Sequence, residues 1–179
     1  MRIISSPFCF SLVLLALTAC STAPPEPAPA PQPVKPVAKP VSAPAQPEGD
    51  WIDWPITPGD WVYREDARGS LALFGETGRP AIFIIRCDQS QRQLFLSRAG
   101  SVGSGATMVL RASAGMQSYP ARNSGGTPPY AAITVTPGDI MMDRIAYSRG
   151  RFAVETSGLQ SIAIPVWPEF SRVVEDCRS

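Results

Sequence analysis

Cysteine, arginine and carboxylate side chains are the groups with which this chain of 179 residues can do chemistry, because it contains no histidine. Its two lysines, Lys35 and Lys39, both precede Trp51. Without imidazole there is no Ser-His-Asp or Cys-His nucleophile, no acid or base tuned near neutrality, and no His-ligated zinc. Without lysine after Trp51, Schiff bases, Ser-Lys dyads and a P-loop are excluded from that stretch as well. Carboxylates remain, twelve of them from Trp51 onward. A pair of carboxylates can hydrolyse a glycoside, but no spacing among these sets two across a cleft. The expectation is therefore a protein that is not an enzyme and needs no cofactor or metal, with a carboxylate-dependent cell-wall glycosidase as one alternative.

Side chains suited to binding are easier to find. Trp51, Trp54 and Trp61 lie within "WIDWPITPGDW", and exposed indoles stack on sugars or anchor in a partner's pocket. The other use of such a segment is to lie across the domain and complete its core. Arg144, Arg149 and Arg151 cluster around one turn, where guanidinium groups can grip phosphate or carboxylate, although Asp139, Asp143 and Glu155 nearby also fit a solvated mixed surface. "GSVGSGAT" from Gly100 has glycines but no following lysine or helix signal, so it is expected to be a hairpin connection, not a phosphate cradle. "NSGGTPP" at 123 is likewise expected to be a loop.

Charge narrows the partners. Net charge is +1 for the chain, and after Trp51 thirteen arginines nearly balance the twelve acids. No field of one sign exists to attract nucleic acid.

The first fifty residues are of a different kind. Met1-Arg2 followed by the apolar run "FCFSLVLLALTA" reads as a secretory signal, too short to span a bilayer, which takes about 20 apolar residues. Leu17-Thr18-Ala19-Cys20 resembles the lipobox of bacterial lipoproteins. The resemblance implies that residues 1–19 are cleaved and that Cys20 is lipidated by a diacylglyceryl group and by further acylation with chains such as palmitate. Two or three chains hold a protein to a membrane almost permanently. Ser21, in place of aspartate, is similar to the sorting pattern of outer-membrane cargo, which implies an outer-membrane lipoprotein facing the periplasm. From Ser21 to Asp50 ten prolines in thirty residues leave no apolar period. This stretch is expected to be a disordered, semi-rigid tether with the extended reach of polyproline II.

From Trp51 to Ser179 the chain is long enough for one core. Short β-branched and aromatic runs recur about every ten residues: "WVYRED", "SLALFG", "AIFIIRC", "RQLFLSR", "ATMVLRA", "YAAITVT", "RFAVET" and "QSIAIP". Eight such runs predict an all-β fold, a single antiparallel sandwich or barrel. "GDIMMDRIAYS" at 138 has the makings of a short helical turn capped by Asp139. At the end, Phe170, Val173, Val174 and Cys177 at i, i+3, i+4 and i+7 after Pro168 predict an amphipathic helix.

Of the four cysteines, Cys9 leaves with the signal segment and Cys20 takes lipid. In an oxidising envelope Cys87 and Cys177 are then expected to form a disulfide, closing a loop of about ninety residues. Taken together these features predict a lipid-anchored envelope protein whose β-domain binds an envelope protein or peptidoglycan. Small β-rich lipoprotein inhibitors of lysozyme share the layout of lipobox, β-domain and disulfide, and nothing finer, so inhibition of a hydrolase is the second alternative.

Overall fold

In several strands alternation between buried and outward side chains decides which face of the sheet forms the core. In β3 (Phe83–Asp88) Phe83, Ile85 and Cys87 are buried while Ile84 and Arg86 are only partly so. β4 (Gln93–Ala99) repeats the pattern with Leu94 and Leu96. The computed structural model describes residues 45–179. The predicted signal segment, Cys20 and the tether as far as residue 44 lie outside the described residues.

Ten strands form two antiparallel sheets. The larger contains β1 (Asp60–Asp66), β2 (Gly69–Gly75), β3, β4, β8 (Tyr130–Val135) and β7 (Arg122–Asn123), in that spatial order. The smaller contains β10 (Ile162–Pro165), β9 (Arg151–Thr156), β5 (Thr107–Ala112) and β6 (Gly115–Pro120). All ladder pairings are antiparallel, consistent with the predicted sandwich. The eight predicted runs all contain strands. β6 and β7 are additional, and they lacked a sequence signal because β6 is exposed at nearly every position and β7 is only two residues long.

Two helices complete the layer opposite the six-stranded sheet. α1 (Ile140–Ala146) is capped by Asp139, whose carboxylate accepts from the Met141 amide at 2.8 Å, and it buries Met141, Met142 and Ile145. α2 (Pro168–Arg178) buries Phe170, Val173, Val174 and Cys177 and packs on β1 to β4. Arg178 ties the two together, donating from Nε to the Pro137 carbonyl at 2.9 Å and pairing with Asp143 at 2.7 Å.

The core centres on aromatic rings from both layers. Trp61 lies 5.3 Å from Phe74, 6.3 Å from Phe83 and 6.2 Å from Phe170, with Phe152 next to both Phe83 and Phe170. These tilted and edge-on contacts are the arrangements that ring quadrupoles favour. Cys87 of β3 is bonded to Cys177 of α2 as predicted, and both residues are buried. Among the described residues no helix is long and apolar enough to cross a membrane.

The packed part of the chain starts before Trp51. The Gln46 side chain donates to the Leu159 carbonyl at 2.9 Å and accepts from the Ser161 amide at 2.9 Å. The chain then makes one 3-10 turn, Trp51–Asp53, and a parallel bridge between Ile56 and Ala163.

Candidate functional site

The inner face of the six-stranded sheet is filled by the core; its outer face is not covered by another layer of the domain. Register places Ile84, Ser97, Ala132 and Arg122 side by side in one row across β3, β4, β8 and β7. The neighbouring row carries Arg86, Phe95 and Thr134. Together with Arg68, Tyr130 and residues flanking β7, these two rows line a groove of about 640 Å³. That volume is of the size of small-molecule and peptide sites.

Arginines dominate its charge. Arg86 grips Asp66 through both terminal nitrogens, at 2.9 and 2.8 Å. Arg68 donates from Nε and Nη2 to one oxygen of Asp88, at 3.3 and 2.9 Å. The fork held by Arg86 lowers the Asp66 carboxyl to about 2. Asp88 is lowered to about 2 as well, chiefly by the Ser90 hydroxyl at 2.6 Å and then by Arg68. Both carboxylates stay ionised and hold their arginines in place. The groove lining contains three arginines and no acid.

Four polar side chains in the lining make no hydrogen bond or ion pair among the described residues: Ser97, Arg122, Ser124 and Thr134. By contrast, Tyr130 is committed, donating its hydroxyl to the Ala81 carbonyl at 2.7 Å. Asn123 is committed too, since it accepts from the Val102 amide at 2.9 Å and donates to the Val102 carbonyl at 2.8 Å, which fixes the Gly100 loop against β7. The site thus combines an apolar floor of Ile84, Phe95 and Ala132 with one unengaged guanidinium and three unengaged hydroxyls. Such a surface can bind and orient an anionic ligand. It offers no group that titrates near neutrality to move a proton.

The tryptophans singled out from the sequence do not form an open platform. Trp61 is 5% exposed and belongs to the main core. Trp54, 8% exposed, lies on the outer face of the four-stranded sheet over Ala153 and Ala163, with Trp51 packed beside it. The two alanines leave a shallow bed there, and a flat indole fills it. The arginines of the second cluster separate. Arg151 is spent on the fold, donating to the Trp54 carbonyl at 2.6 Å. Arg144 faces β6 at Gly115 and the Tyr119 ring, and Arg149 is exposed at the α1–β9 turn.

Arg68, Arg86 and Arg122 were missed because they lie in three different strands or turns and meet only through sheet register. The one local signal was the alternation in "AIFIIRC", which turns Ile84 and Arg86 to the face opposite Ile85 and Cys87. Among the described residues no group of three His, Cys, Asp or Glu side chains is placed to hold a metal. Compared with known proteins, the chain matches no family model, no curated protein and no solved structure.

Proposed function

We propose that this chain is a lipid-anchored lipoprotein of the bacterial cell envelope, and that its β-domain binds an envelope protein or cell-wall glycan without catalysing a reaction. The observation that carries the binding role is the outer-face groove, whose Ser97, Arg122, Ser124 and Thr134 side chains are left without partners among the described residues. Polar groups already satisfied inside a fold have little to offer a ligand; unengaged ones on a concave face do. Support for the anchor comes from Leu17-Thr18-Ala19-Cys20, and support for the tether from the prolines between Ser21 and Asp50. By that reading the membrane anchor is lipid, and the domain works in the periplasm, probing the wall and its neighbours from the end of an extended chain.

Two measurements test this. Cells expressing the full chain, fed an alkyne analogue of palmitate, are expected to label the protein and to lose the label in Cys20→Ser; equal labelling of both would remove the anchor. A photo-crosslinking residue at Ser97 or Thr134 is expected to capture an envelope component in living cells, whereas one at the exposed Glu76 is not. Equal capture from all three positions would remove the groove as the binding site, and capture of a hydrolase would turn the reading toward inhibition.

A further inference from the structure

Charge balance inside the groove narrows what it can hold. Two of its three arginines are already neutralised, Arg68 by Asp88 and Arg86 by Asp66. Arg122 has no counter-ion among the described residues and is exposed. The groove therefore carries one uncompensated positive charge. A carboxylate is a planar monoanion that matches one guanidinium; a phosphomonoester carries about −1.5 to −2 charges near neutrality and would be left partly unpaired.

Position narrows it further. Arg122 ends the row that starts at Ile84, on the strand that closes this edge of the sheet, with Pro120 and Ser124 flanking it in the lining. A ligand lying along the row reaches the guanidinium with its end, not its middle. The floor beneath such a ligand is apolar, made by Ile84, Phe95 and Ala132, and the Ser97 and Thr134 hydroxyls beside it can meet amide groups. Sugars present hydroxyls on most of their edges and would need more polar partners than these.

We infer that the groove binds the C-terminal end of a short peptide, with its terminal carboxylate on Arg122 and its last side chains on Ile84 and Phe95. This rests on the groove being the ligand site. Arg122 reaches the charge, Ser97, Ser124 and Thr134 bond the backbone, and the ion-paired Arg68 and Arg86 form a side wall.

The test uses the purified full-length chain, immobilised and exposed to N-acetylated random tripeptides synthesised once as free acids and once as amides, with retained species read by mass spectrometry. Free acids are expected to be retained about tenfold over amides, the order of effect of one charge-assisted hydrogen-bond pair. Arg122→Gln is expected to abolish that preference, and Arg122→Lys, which keeps the charge but loses the fork, to reduce it. Because the Arg122 side chain makes no hydrogen bond or ion pair among the described residues, both variants are expected to keep the parent circular dichroism and thermal midpoint. Equal retention of acids and amides, a preference that survives Arg122→Gln, displacement by equimolar inorganic phosphate, or no retained peptide would each overturn the inference. A carboxylate site that fails in this way while Ser97 still crosslinks in cells would leave the binding role standing with another ligand.

Discussion

The indole nitrogen of Trp61 donates to the main-chain carbonyl of Pro165 at 2.9 Å, joining the edge strand of one sheet to the last residue of β10 in the other across 104 residues of sequence. The contact is buried, and the ring is packed against Phe74, Phe83 and Phe170. Phenylalanine at this position keeps much of the apolar contact but leaves the carbonyl unpaired. Trp61→Phe is expected to lower stability by about 1–3 kcal/mol, and Trp61→Ala by about 3–5 kcal/mol, in urea unfolding. A Trp61→Phe variant as stable as the parent would show that the hydrogen bond adds nothing net.

The Cys87–Cys177 bond spans 90 residues of sequence and locks α2 to the third strand of the larger sheet. In the chain-entropy account, closing a loop of that length is worth about 4 kcal/mol. The Cys87→Ser, Cys177→Ser double variant is expected to lose about that much, measured by the same unfolding. Both residues are buried, so reduction by dithiothreitol is expected to be slow in buffer and fast in urea. Equal rates in the two would mean that the sulfurs are reached without unfolding.

Acid should find the arginine-linked carboxylates. Asp66 and Asp88 have folded-state values near 2 against an ordinary 3.8. A group lowered on folding contributes stability that is complete above its unfolded value and disappears as pH falls through the folded one. Stability is therefore expected to fall between about pH 4 and about pH 2, and the Asp66→Asn, Asp88→Asn double variant to show a shallower slope across that window. An unchanged slope would assign the acid sensitivity to other groups.

Gly69 opens β2 at φ +136°, and a Cβ there would come within 2.7 Å of the Cys87 carbonyl oxygen. Gly69→Ala is expected to cost at least the 1–3 kcal/mol typical of forced backbone conformation. Gly103→Ala, in open space on a loop, is expected to change stability by about 0.5 kcal/mol or less. Comparing their thermal midpoints separates a collision from a general loss of glycine.

Where one face of an element is buried, its sequence announces it. The run "AIFIIRC" declares a strand through period two, and Phe170, Val173, Val174 and Cys177 declare a helix through period 3.6. β6 is nearly all exposed and carries no period, so nothing in its residues separates it from a loop. Trp54 and Trp61 were ambiguous because sequence says that an indole is large, not what lies beneath it; for Trp54, Ala153 and Ala163 answer that only after β9 and β10 have paired, and for Trp61 the answer is the Phe74, Phe83 and Phe170 rings. The groove was illegible for the same reason. Arg68 in the β1–β2 turn, Arg86 on β3 and Arg122 on β7 come to line one groove through the ladders of the larger sheet, and pairing register is a property of the whole sheet.

The two hydrogen bonds of Gln46 also decide how the domain answers a pull. Tension applied through the residues before it reaches the sheet at Leu159 and Ser161, then the bond from Thr57 to the Ala163 carbonyl and the neighbouring parallel bridge. These contacts, with the Trp54 indole packed between them on Ala153 and Ala163, would be loaded one after another, as the teeth of a zipper are. The disulfide lies in another part of the core, and these contacts can give way while the Cys87–Cys177 lock remains closed.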